Sequence, residues 1–490
     1  MKGRFQYKHL VAAVFVLGLF MDLLDTTITN VALPTLSRQF GAPATSIEWV
    51  VTGYLLGLAV FIPVSGWAAD RFGTKRTFLF ALTLFVSASA LCGAAWSTES
   101  IIVFRVLQGV GGGMLTPVGM TMVLRAFPVE ERALVTSILS VPAVLGPATG
   151  TIVGGYLVEY QTWRWIFFVN LPIGLIAITV AFLFLREQRQ DGTGALDLPG
   201  FVLSATGLAA LVYALSQAGP RGFGDSRVIS FGLGGLAALA VFIAVELRTI
   251  RPLIDVGLFR DRLFSVTNAI QFLSQARFQG GIFTLTLFLQ AERGLSPLEA
   301  GLTTVPIALG VVTMLPVAGR AYRALGPRRL LLIGMGFSTL TSLALVLVDL
   351  ESSRWLVRAI LLAWGWSLAL SLVPLQTAAF ATMRPAEMGR ASAAFNSIRQ
   401  VGGSFGVALL ATVLSARLTQ HSAALSSPVT RDGAVLAFHE TFVALAALTI
   451  VGGLLATLVS DRLAAATYRP VTLRPAKPAS EVVLEEVSAG

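Results

Sequence analysis

The chain has 490 residues, 55% of them hydrophobic and only 13% charged, with a formal charge of +10. Apolar runs of about 20 residues recur along it, each long enough to cross a bilayer as a helix, which excludes an ordinary soluble domain. One cysteine, Cys92, permits no intrachain disulfide and no cysteine metal cluster, and His9, His421 and His439 lack ligand spacing, so no metal site is expected.

Excess base in a soluble protein would suggest nucleic acid, so its distribution decides. About 24 of the 36 Lys and Arg fall in alternate connections, beginning with the N-terminus, and about nine in the others. This is the positive-inside pattern. It places both termini in the cytoplasm and removes nucleic acid as a partner.

Fourteen spans are expected. The first six cover 10–33, 47–68, 77–96, 101–124, 133–158 and 165–185; two follow at 198–217 and 228–247. The last six cover 263–290, 300–318, 330–350, 356–383, 391–414 and 442–459. The fold class is an all-α polytopic membrane protein. Residues 1–190 form a six-helix half, 191–258 a two-helix insert, 259–462 a second six-helix half, and 463–490 a disordered cytoplasmic tail rich in Pro and Glu. The first span lacks a small-residue cleavage site after Asp25 and reads as a signal-anchor.

That first span carries Asp22 and Asp25, three residues apart on one helical face with Thr26 and Thr29, followed by Asn30. A carboxylate at membrane depth costs roughly 2.5–3.5 kcal/mol on insertion scales. Such an acid either holds a neighbouring helix by a hydrogen bond or loads and releases a proton. After the second span comes Gly66-Trp-Ala-Ala-Asp70-Arg71-Phe-Gly73-Thr-Lys75-Arg76, a basic turn whose Asp70 is expected to dock on a helix N-terminus or an arginine of the other half. The fourth span aligns Arg105, Gln108, Gly109, Gly112 and Thr116 on one face, and Arg105 requires an acid such as Asp22 or Asp25. Its glycine run follows no strand, so close helix approach is the reading rather than a phosphate loop. The fifth span holds Pro142, Gly146, Pro147, Gly150 and Gly154, a seam of glycines every fourth residue with two prolines, expected to bend or gate against the opposite half.

The loop after the second span recurs: Gly319, Gly326 and Arg329 repeat Gly66, Gly73 and Arg76 at one offset, with Arg323 where the first copy has Asp70. Two six-helix halves of this kind enclose a substrate cavity near the midplane. Thr29, Asn30, Gln108, Thr116, Gln271, Gln275, Arg277 and Asn396 are candidate cavity residues. Arg277 and Arg399 either snorkel to the interface or turn inward.

At these sites the chain resembles the major facilitator superfamily, and more narrowly the fourteen-helix drug:proton antiporter family of the EmrB/QacA type. The matching segments are LDTTITNVALP at 24–34, GWAADRFGTKR at 66–76, RVLQGVGGG at 105–113 and GPATGTIVGG at 146–155. Three more, TWRWIFFVNLPIG at 162–174, SPLEAGLTTVP at 296–306 and IRQVGGSFG at 398–406, extend the match over most of the chain. The resemblance implies Asp25 as coupling carboxylate, with Arg105 its arginine. It implies Gly146 and Pro147 as the centre of the antiporter motif, and Asp70, Arg71 and Gly73 as a conformational latch, degenerate in the second half. Asp22 is not required by the motif.

The function so expected is export of amphipathic or lipophilic compounds in exchange for protons at a bacterial plasma membrane. The proton gradient supplies the energy and no cofactor is needed. A dedicated exporter or importer of one metabolite or lipid is the alternative on the same fold. A membrane enzyme is disfavoured, because no catalytic constellation appears. The sequence leaves open whether a periplasmic adaptor takes part.

Overall fold

The computed structural model describes residues 2–127, 146, 149–189, 195–249, 252–384, 387–425, 427 and 429–467. These are almost wholly helical. The helices are α1 (Lys2–Phe40), α2 (Ala44–Ile47), α3 (Trp49–Phe72), α4 (Thr74–Gly93), α5 (Thr98–Ala126), α6 (149–160), α7 (Trp165–Phe168), α8 (Asn170–Phe184), α9 (Leu198–Arg221) and α10 (Ser226–Glu246). They continue as α11 (Arg262–Leu287), α12 (Pro297–Ala344), α13 (Arg354–Ala379), α14 (Met388–Gln420) and α15 (Arg431–Ala456). Pro142, Pro147 and residues 468–490 of the expected tail lie outside the described residues.

Eleven of these helical stretches are long and apolar enough to cross a membrane. Leu183, Leu233 and Leu340 are each more than 60% exposed, as expected of side chains whose solvent is lipid. One stretch must be divided. The 48 residues of α12 would extend about 72 Å, more than twice a bilayer's hydrocarbon core. The break is at Gly326, with φ 75° and ψ 173°. Adding the second arm of α12, the more polar α11, and α6 as the described part of the fifth span accounts for the fourteen expected.

Gly326 has its counterpart in Gly73, with φ 97° and ψ 150° between α3 and α4. Positive φ is what glycine supplies at no steric cost, so both copies of the loop need glycine at the same place. The repeat extends to the helix that follows. Glu187, just beyond α8, accepts hydrogen bonds from the backbone N–H groups of Lys75 (2.9 Å) and Arg76 (3.2 Å). Asp461, just beyond α15, accepts one from the N–H of Arg328 at 2.9 Å. In each half an acid from the end of the sixth helix caps the N-terminus of the third.

The second and fourth helices of each half cross glycine on glycine. A Cβ on Gly57 would stand 3.0 Å from the Cα of Gly109, and one on Gly310 would stand 2.9 Å from that of Gly365. No side chain larger than hydrogen fits between these backbones.

The halves meet toward the end opposite the basic loops. A Cβ on Gly155 of α6 would lie 2.8 Å from the carbonyl oxygen of Pro297, Glu159 accepts from the N–H of Leu298 at 3.0 Å, and Gly301 packs on the carbonyl of Thr151. Gln290 donates to the Val31 carbonyl at 2.9 Å. The two central helices have a definite seat. Helix α9 spans the seam between α3 and α14: Thr412 of α14 donates to the Leu215 carbonyl at 2.7 Å, and the Ser216 hydroxyl donates to the Thr45 carbonyl and accepts from the Trp49 indole, both at 3.1 Å.

Candidate functional site

Asp25 lies on α1 and is fully buried. Arg105, one turn into the apolar part of α5 and also fully buried, donates from Nη1 to Asp25 Oδ2. Gln108, a turn further along α5, donates to Asp25 Oδ1 at 2.8 Å, and Asn170 at the start of α8 donates to the same oxygen at 3.3 Å. The amide oxygen of Gln108 accepts from Arg105 Nη1 at 2.8 Å, and Arg105 Nε donates to the Val50 carbonyl of α3 at 2.8 Å. The Tyr54 ring lies 4.1 Å from the guanidinium carbon. Two helices, α5 and α8, thus supply donors to the carboxylate on α1, and a third, α3, holds the arginine. Asp25 accepts from one cation and two amide donors.

Asp22, one turn earlier, is differently placed. It accepts from the Tyr54 hydroxyl, and Arg399 of α14 lies close enough across the seam for the two charges to interact. An added Cβ on Gly112 would come within 3.1 Å of Asp22 Oδ1, so the fourth-span glycines let α5 close on the acid pair. Asp22 and Asp25 divide the contacts of α5: Arg105 and Gln108 serve Asp25, and Gly112 borders Asp22.

The other expected residues fall into three sets. Thr29 and Asn30 turn back onto their own helix, donating to the carbonyls of Asp25 (2.8 Å) and Thr26 (2.9 Å). Thr116 is half-buried with its hydroxyl unpartnered among the described residues. Gln275 of α11 packs near Gly403 of α14, Gln271 is buried on α11, and Asn396 donates to the Ser392 carbonyl at 2.9 Å. Arg277 does not line the seam. It points into the C-terminal half, donating to Ser342 Oγ, Thr341 Oγ1 and the Ser338 carbonyl at 3.2–3.4 Å.

Two expectations are corrected. The described partner of Asp70 is Arg125, at the end of α5 in the same half, at 3.6 Å. The glycines of the fifth span pack on α1 rather than on the opposite half: Gly146 meets Leu23, Gly150 meets Thr27 and the Leu24 carbonyl, and Gly154 meets Ile28. The contact with the other half is made by the adjacent face, Thr151 and Gly155. Of the loop residues, Gly73 is held by its φ and Arg76 lies 3.8 Å from Glu187, while Arg71 is exposed. A side chain at Gly66 would meet open space.

Sequence reasoning missed Tyr54, Asn170 and Glu187, the partners of the named acids and of the loop. It also missed Glu48, fully buried at the start of α3 beside Ser216, with both carboxylate oxygens unpartnered among the described residues. Polar residues within or bordering apolar spans were the available signal for Tyr54, Asn170 and Glu48. Glu187 gave none. Among the described residues no group of three metal-ligating side chains gathers.

Comparison with known proteins accords with this architecture. A curated relative described as "Uncharacterized MFS-type transporter YhcA" of Bacillus subtilis (strain 168) is 33% identical over 408 residues, covering 83% of this chain and 77% of that one. "Multidrug resistance protein B homolog" of Mycobacterium tuberculosis (strain ATCC 25618 / H37Rv) is 35% identical, over 82% of this chain and 76% of its own. Among solved structures, a D-xylose-proton symporter superposes with a TM-score of 0.66 at 15% identity, covering 93% of this chain and 98% of that one, a likeness of fold. The family model of the Major Facilitator Superfamily matches residues 15–407. The chain is a multi-pass membrane transporter rather than an enzyme, and it belongs to the Major Facilitator Superfamily.

Proposed function

We propose that this transporter is a fourteen-helix drug:proton antiporter of the EmrB/QacA type, exporting amphipathic or lipophilic compounds across a bacterial plasma membrane with both termini in the cytoplasm. Residues 1–190 and 259–462 act as two rocking halves, with 191–258 an insert that rides on the seam. The names of the relatives support a small-molecule substrate of this class. The single observation that carries proton coupling is the buried Asp25, tied to Arg105, Gln108 and Asn170, with Asp22 one turn away facing the other half.

In this reading the seam contacts at Gly155, Gly301 and Gln290 close the periplasmic side. Asp25 is ionised and bound to Arg105 while the site faces the cytoplasm and accepts substrate. Opening to the periplasm separates the carboxylate from its donors, and a proton then replaces the guanidinium as its partner. Asp22, with Tyr54 as its one donor among the described residues and Arg399 across the seam, reports the state of the other half to the acid pair. Substrate and proton need not touch, because both bias one two-state equilibrium. Asp70 and Arg125 fasten the cytoplasmic ends of α3 and α5 and set how easily the N-terminal half rearranges.

The test is proton release from detergent-solubilised protein on adding a lipophilic cation such as ethidium, paired with efflux in energised vesicles. Wild-type protein is expected to release protons and to pump. Asp25→Asn is expected to bind the dye without proton release and not to pump. Unchanged efflux by that variant removes Asp25 from the mechanism.

A further inference from the structure

The two halves carry corresponding pockets with a different balance of charge. In the N-terminal half Asp25 faces α4, where Ser89 holds Asn170 at 3.1 Å, and α5, where Gln108 precedes Gly109 of the glycine crossing. In the C-terminal half Arg277 of α11 faces Ser342, which stands at the repeat offset from Ser89, and Trp364, which precedes Gly365 of the matching crossing. Arg105 lies four residues before Gly109. Four before Gly365 is Leu361, fully buried. The first pocket therefore pairs an acid with a base, and the second holds a base alone.

Arg277 is 2% exposed, and its described partners are two hydroxyls, a carbonyl and the Trp364 ring, 4.9 Å from the guanidinium carbon; no carboxylate is among them. Those hydrogen bonds are long for N–H···O. The hydroxyls of Thr341 and Ser342 already donate to the Ser338 carbonyl, each at 2.9 Å, so they serve the arginine only as acceptors. Donors are in surplus. Nη1 of Arg277 has no described partner, the Trp364 indole N–H is buried and unpartnered among the described residues, and so is the Ser274 hydroxyl one turn earlier on α11. A guanidinium does not shed its proton in a protein, so its charge must be met from outside the chain. An uncompensated buried charge costs several kcal/mol.

We propose that the C-terminal half holds a monovalent anion against Arg277, with Trp364 Nε1 and Ser274 as neutral donors. A resident halide is one source of that charge and the acid head group of an amphiphile is the other. The bound anion fixes the charge of this half while the acids of the first half exchange theirs.

The experiment uses the full chain in detergent, with chloride or bromide replacing gluconate at constant ionic strength. Thermal midpoint and tryptophan fluorescence are read, since bromide quenches a ring it touches. Wild-type protein is expected to show a saturable rise in midpoint and saturable quenching. Arg277→Gln is expected to lose both, its halide midpoint weakened at least about tenfold. Ser342→Asp, which supplies a carboxylate from within, is expected to be stable without halide and indifferent to it. Displacement of bromide by decanoate but not by acetate identifies an amphiphile's head group as the occupant, and resistance to both identifies a halide. A wild-type protein indifferent to halide and decanoate, an Arg277→Gln variant that responds like wild type, or a Ser342→Asp variant that keeps the full halide response would each overturn the proposal.

Discussion

Asp25→Asn alters one charge in a closed network, and the structure fixes what should follow. The native carboxylate accepts from Arg105, from Gln108 at 2.8 Å and from Asn170 at 3.3 Å. An asparagine keeps one acceptor oxygen and sets an NH2 group against a donor whichever way it turns. Turning Gln108 over to meet that group would break its 2.8 Å bond from Arg105. No neutral arrangement satisfies all three neighbours, and Arg105 is left charged at zero exposure. Breaking a buried pair by removing one partner costs about 3–5 kcal/mol. Arg105→Met alone strands the acid and should cost a similar amount. The double variant removes both charges and lets the asparagine pair with Gln108 and Asn170, so it should recover about 3 kcal/mol relative to the sum of the single losses. Denaturant titration of the detergent-solubilised variants, followed by tryptophan fluorescence, measures this coupling, and all three should be inactive in energised vesicles. If Asp25→Asn alone lies within about 1 kcal/mol of wild type, or the double loss equals the sum, the carboxylate is not held as an anion here and the argument fails.

Other expectations rest on single contacts. Glu187→Ala removes the acceptor of two N–H groups at the start of α4, and Asp461→Ala removes the acceptor of the Arg328 N–H; each should lower stability by about 0.5–2 kcal/mol. Unchanged thermal or denaturant unfolding of either variant would show that its cap does not act through these bonds. Asp70→Asn breaks a half-exposed pair at 3.6 Å and should change stability by less than about 1 kcal/mol, yet slow transport without altering which compounds compete for it. Competition assays in vesicles decide, and a changed substrate range refutes it. Gly109→Leu would force a side chain onto the Tyr54 carbonyl and should abolish accumulation of folded protein, read by size-exclusion profile in detergent.

The fold was legible because its signals are local: span length, glycines at the loop repeat, and the offset linking the halves. The acid–arginine site was legible for the same reason, since a charged residue in an apolar run stands out by itself. What could not be read is whom each residue meets. Asp70 and Arg125 lie on helices separated by a whole span, and composition ranks every basic residue near that end equally. The glycines of the fifth span show one smooth face but not which neighbour it fits; α1 and α12 were both possible, and α1 takes Gly150 while the next face over takes α12. Arg277 was assigned to the cavity because the sequence could not say that its side of α11 looks away from Gln275 and into its own half. The insert gave no chemical signal at all. Its described ties to the two walls of the seam are hydrogen bonds at Ser216 and Leu215.

The departures from symmetry point the same way. The halves share their glycine crossings, their positive-φ loops and their acid caps, so the scaffold is duplicated faithfully where backbone geometry demands it. They diverge at two places where the first half carries an aspartate paired with an arginine. Asp70 faces Arg125 in the first loop, and the second loop has the exposed Arg323 at that place. Asp25 faces Arg105 in the first pocket, and the second has Arg277 with Leu361. Guanidinium groups hold their protons throughout the physiological range, so the second pocket, whose buried charge is Arg277, cannot titrate, whereas the first, built on aspartates, can. On the proposed reading the Arg277 pocket is therefore the fixed reference against which the first half moves, and proton-linked work falls to the acids on α1 and their partners on α3 and α5.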